Sequence, residues 1–106
     1  MEKLYKAVLK HSELTNDDLK EISEHGADGG WCEFIYNVDC IKFWDNNSEL
    51  IQKYSQEQAE NMGHKNWLVM FSTFGRADML DGVDGYKILG AWFILESVAH
   101  WFVDQE

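Results

Sequence analysis

The stretch Tyr86-Lys87-Ile88-Leu89-Gly90-Ala91-Trp92-Phe93-Ile94-Leu95-Glu96-Ser97-Val98-Ala99-His100-Trp101-Phe102-Val103 decides the fold. Wound as a helix, it is apolar around nearly its whole circumference. A helix of that kind belongs at the centre of a bundle, covered by the others. Its longest apolar run, residues 88–95, is far short of the roughly 20 residues a membrane span needs. The segment therefore predicts a buried core helix.

The chain contains no proline, and its eight glycines act as punctuation. Residues 2–11 carry Leu4, Tyr5, Val8 and Leu9 on one side, the pattern of a short amphipathic helix. Thr15 is placed to N-cap a second helix ending at Gly26, with Asp17 and Asp18 in its first turn and Leu14, Leu19 and Ile22 as its core residues. Trp31 to Tyr36 reads as helix with a break near Asn37, although its aromatic, β-rich composition also suits a strand. Asp39 caps a turn presenting Ile41, Phe43 and Trp44. A further helix begins at Ser48, runs through Leu50, Ile51, Tyr54, Gln58 and Met62, and is closed by Gly63. Asn66 caps Trp67 to Phe74, and 76–85 reads as an acidic loop. The expectation is an all-α, single-domain bundle over residues 1–106, with about five helices packed around the apolar C-terminal one.

With 106 residues there is material for one domain, and an apolar fraction of 45% supplies its core. Nine Lys and Arg against 19 Asp and Glu give a formal charge of −10. That balance argues against direct binding to nucleic acid or to anionic membrane, since both are polyanions. Met1 to Lys6 lacks the apolar core of a signal peptide, so the expected compartment is the cytoplasm. Cys32 and Cys40 are separated by seven residues, which fits neither a CxxC redox pair nor a zinc knuckle.

Few residues advertise chemistry. Glu96 and His100 share a helix face, and burial there would raise the carboxyl pKa and suit acid–base work. The competing reading is a polar contact tying the core helix to its neighbours. Asp17, Glu21 and His25 stand at i, i+4 and i+8 and could hold a divalent metal, but a solvated acidic face explains them as well. No phosphate loop, dinucleotide fingerprint or nucleophile motif is present. The expectation is a non-enzymatic protein with no cofactor and no metal. Met62, Met70, Met79 and the tryptophans read as core filling.

Charge carries more. Glu13, Asp17, Asp18, Glu21, Glu24 and Asp28 face the single base Lys20, and Asp78, Asp81 and Asp84 form a second group. Carboxylates three or four apart on a helix lie ~5–6 Å from each other at Cβ. That is close to phosphate spacing, so such a face suits a basic groove that holds nucleic acid. Those nine residues are the candidate partner contacts. An alternative is a homodimer or adaptor built through exposed aromatics such as Trp31, Trp44 or Trp101.

The run Gly29-Gly30-Trp31-Cys32-Glu33-Phe34-Ile35-Tyr36-Asn37-Val38-Asp39-Cys40-Ile41-Lys42-Phe43-Trp44 resembles a GGF-x-GFIYY-x-[ST/D]-T-x-x-FY pattern. Leu89-Gly90-Ala91-Trp92-Phe93-Ile94-Leu95-Glu96-Ser97-Val98-Ala99 is similar to an AW-[FY]-x-[LF]-E-x-[VA]-[AC] block. Both patterns are those of an uncharacterised family of small proteins encoded by phages, prophages and plasmids. Glu33 and Asn37 depart from the first pattern. The resemblance implies a mobile-element origin and a mostly helical fold, and it carries no catalytic residue. By analogy, a short acidic chain of that origin is expected to inhibit a host nucleic-acid-directed defence complex, as an anti-CRISPR or anti-restriction protein blocking a basic channel.

Overall fold

In the computed structural model, helices dominate the described residues, which are 1–11, 14–25, 40–74 and 84–105. They form α1 (Glu2–His11), α2 (Asn16–His25), α3 (Cys40–Asn61), α4 (Trp67–Phe71) and α5 (Gly85–Asp104), and no strand occurs among them. The readings placed on Trp31–Tyr36, on the caps at Asp39 and Gly26, and on the loop before Asp84 lie outside these residues. The radius of gyration is 12.8 Å, close to the ~13 Å of one domain this size.

The apolar C-terminal stretch takes the central position its composition demands. Leu89, Ala91, Trp92, Ile94, Leu95, Val98 and Ala99 of α5 are all buried. Each of the other four helices packs against it, α2 most broadly and α3 next. Leu19 and Ile22 come from α2, Leu4 and Val8 from α1, Phe43, Trp44 and Ile51 from α3, and Met70 and Phe71 from α4. Burying a large apolar side chain stabilises by about 1.5–3 kcal/mol, so this shared core holds the bundle together.

Local signals set the helix ends. Thr15 and Asp18 form a reciprocal capping box: Asp18 N donates to Thr15 Oγ1 at 3.3 Å, and Thr15 N donates to Asp18 Oδ2 at 2.8 Å. At the end of α3, Gly63 adopts φ +85°, with Gly63 N on Glu60 O and His64 N on Ala59 O. This is a Schellman closure, which needs the left-handed residue that glycine supplies without strain. Asn66 Oδ1 accepts Val69 N at 2.9 Å and caps α4.

The expected start at Ser48 becomes a kink in one longer helix. Asn47 sits at φ −132°, ψ 23°, and its Nδ2 donates to Phe43 O at 3.0 Å. The side chain thus bonds back to a carbonyl one turn earlier at the bend, and the helix continues past it. Met62 does not fill the core as expected: it is 58% exposed, because it follows the last turn of α3 where the chain leaves the bundle. Ile41 also faces solvent, whereas Met70, Phe43 and Trp44 are buried. Met79 lies outside the described residues.

One close approach joins α3 to α5. A Cβ on Gly90 would overlap Cζ3 of the Trp44 ring and sit 3.3 Å from Phe71 Cε2. The indole has little room to yield, since Trp67 and Tyr86 lie against it with ring centroids at 5.5 and 5.4 Å. Phe71 extends this group to Trp67, Phe74 and Phe93. Beside it, Lys87 Nζ donates to Asp45 Oδ1 at 2.7 Å, tying α5 to α3. That bond to Asp45 raises the Lys87 pKa above the usual lysine value against a lowering by burial, and the Asp45 and Asp84 charges add to the rise.

Candidate functional site

The charged face of α2 follows from its amphipathic sequence. Leu19 and Ile22 turn towards α5 and are fully buried. Asp17, Glu21 and Glu24 fall four and three residues apart, so they share about 60° of the opposite circumference. All three are exposed, as is Lys20 on the flank of the same face. The result is a carboxylate stripe one helix wide, backed by a rigid core contact.

The nine predicted contact residues do not behave alike. Asp17, Glu21 and Glu24 are brought together on this stripe. Asp18, one residue from Asp17, points back to the Thr15 amide and serves the capping box. Asp84 lies 3.5 Å from Lys87 Nζ on a different part of the bundle. Glu13, Asp28, Asp78 and Asp81 lie outside the described residues.

Glu96 and His100 are not buried. Their side chains are 42% and 55% exposed, with His100 Nε2 3.8 Å from Glu96 Oε1. The pair occupies the solvent-facing flank of α5, so the low-dielectric setting expected for it is absent. Neither residue lines the cleft of about 400 Å³ between α1 and α3, which is walled by Lys3, Leu4, Leu50, Lys53, Tyr54 and Glu57 among others. Among the described residues no group of three or more His, Cys, Asp or Glu side chains is placed to hold a metal ion. The side chain of His25, the third member of the metal reading, is outside them.

Of the tryptophans expected at a subunit interface, one is buried in the core. Trp44 is 3% exposed within the aromatic group on Gly90. Trp101 is half-buried, its ring 5.5 Å from Tyr5. Trp31 lies outside the described residues. Sequence reasoning passed over Lys3, Lys6 and Lys10 on α1, all exposed. Their three-then-four spacing was the available signal, but it was masked by the strongly negative total.

No curated protein and no solved structure matches the chain. A family model described as a domain of unknown function, DUF7222, matches residues 1–106, and the chain belongs to that family.

Proposed function

We propose that this DUF7222 member is a non-enzymatic binding protein of phage or mobile-element origin. It acts in the host cytoplasm, where it inhibits a nucleic-acid-directed defence complex of the CRISPR or restriction type. The carboxylate stripe of α2 enters a basic groove that otherwise holds DNA or RNA, as a mimic of the phosphate backbone. The observation that supports this reading is the stripe itself: Asp17, Glu21 and Glu24 lie on one exposed arc of a helix whose other side is locked into the core. Such a surface presents charge with little rearrangement on binding, and association through it is fast and salt-sensitive.

The test is a pull-down of the tagged protein from a defence-bearing bacterial lysate at low and high salt. A stoichiometric nuclease or CRISPR subunit released by salt is the expected result. The variant Asp17→Lys with Glu21→Lys and Glu24→Lys should lose that partner and keep its helical circular dichroism. Asp18 is left intact because it caps α2. Undiminished capture by the folded triple variant would defeat the mimic.

A further inference from the structure

The lysines of α1 and the carboxylates of α2 form complementary stripes. Lys3, Lys6 and Lys10 are exposed and spaced three and four apart, so they share about 60° of the α1 surface. Glu2, the one carboxylate on α1, reaches Lys6 at 3.7 Å. Read from its C-terminal end, the α2 stripe Glu24, Glu21, Asp17 has the same spacing, three and then four. At 1.5 Å rise per residue, each stripe sets its charges at about 0, 4.5 and 10.5 Å. Laid antiparallel, the two helices bring Lys3 to Glu24, Lys6 to Glu21 and Lys10 to Asp17 together.

Within one chain the stripes do not meet. Lys3, Lys10, Asp17 and Glu21 make no ion pair with another described residue. Between α1 and α2, Tyr5 Oη donates to Asn16 Oδ1 at 2.8 Å. The apolar face of α2 lies on α5 and that of α1 on α5 and α3, and all six stripe residues are exposed.

We propose that the α1 stripe of one copy docks antiparallel on the α2 stripe of a second copy. Charge complementarity in matching register selects that occupant. Exposed ion pairs are individually weak, so the complex is weak, with a dissociation constant of no less than about 1 mM. The chain charge of −10 opposes association at long range. At about 0.15 M salt that repulsion is cut off beyond ~8 Å, while the contact pairs lie inside this distance. The self-contact goes beyond the proposed inhibition but uses the same carboxylates, so self-association and target binding exclude each other.

Sedimentation velocity from about 10 µM to about 1 mM protein at about 0.15 M and about 1 M salt tests the contact. The mass should rise from 12.4 kDa towards twice that value with concentration, and fall back at the higher salt. Lys3→Glu with Lys6→Glu and Lys10→Glu should be monomeric, as should Asp17→Lys with Glu21→Lys and Glu24→Lys. An equimolar mixture of the two variants should recover the dimer, because each then offers the other an opposite stripe. If circular dichroism shows that a reversed variant has unfolded, the Lys→Gln triple replaces it. A wild type that stays at 12.4 kDa, a dimer indifferent to salt, or a mixture that stays monomeric overturns the proposal. Target capture by the α1-reversed variant reads the inhibitor hypothesis separately, since its α2 stripe is untouched.

Discussion

The aromatic end of the molecule and its charged end solve opposite problems. Around Gly90, rings from α3, α4 and α5 fill the space so closely that a methyl group has no room. Along α1 and α2, by contrast, the outward arcs carry charged side chains in contact with water. The core contacts of α2 do not depend on which charges it shows. Packing and surface charge are thus carried by separate residues, so each can be changed while the other is watched.

The largest expected effect lies at the aromatic end. Phe71→Ala removes a fully buried ring that packs on Trp67, Phe74 and Phe93. It should cost about 3–5 kcal/mol in urea unfolding, a large share of a small domain's stability. A loss below about 1 kcal/mol would mean that the rings repack. Gly90→Ala should follow, destabilising by about 1–3 kcal/mol through overpacking against Trp44, even though alanine is the better helix former. Thermal melting checks it, and an unchanged midpoint would show that the indole moves aside.

At the charged end, two adjacent residues carry different roles. Asp18→Ala opens the capping box and should cost about 1 kcal/mol. Asp17→Ala, on the exposed stripe, should cost only a few tenths through the helix dipole. Equal losses in parallel denaturation curves would erase the division between cap and stripe. The smallest effect has the opposite sign. Ser55 is fully buried in α3, and its Oγ has no hydrogen-bond partner among the described residues. Ser55→Ala should leave stability unchanged or raise it by up to about 1 kcal/mol; a clear loss would reveal a partner for the hydroxyl.

Much of the fold was legible because its signals are local. Thr15 and Asp18, Asn66 and Gly63 act within four residues of themselves, and each caps the helix end its chemistry implies. The apolar circumference of α5 predicted its central place for a similar reason, since no exposed position could accommodate it. The helix start expected at Ser48 fell beside the kink at Asn47, but whether a chain stops or bends there depends on what both halves pack against. Glu96 and His100 show where sequence reasoning ran out. On a helix this apolar, the flank left to water is chosen by the arrangement of the helices packed around it. The α2 stripe was visible as spacing, yet separating Asp18 from Asp17 needed the direction of one side chain.

Helix α4 is five residues long, well below the ~12–15 at which a helix is even marginal alone in water. Its order is borrowed. Asn66 closes its first turn, and Gln56 of α3 reaches over to it, with Oε1 accepting Trp67 N at 3.1 Å and Nε2 donating to Lys65 O at 3.4 Å. Fraying of the last turns of α3 would therefore withdraw the support of α4 in the same event. The two segments are thus expected to open as one cooperative unit, which native-state hydrogen exchange would show as amides of α4 and the end of α3 exchanging together and ahead of those in α5.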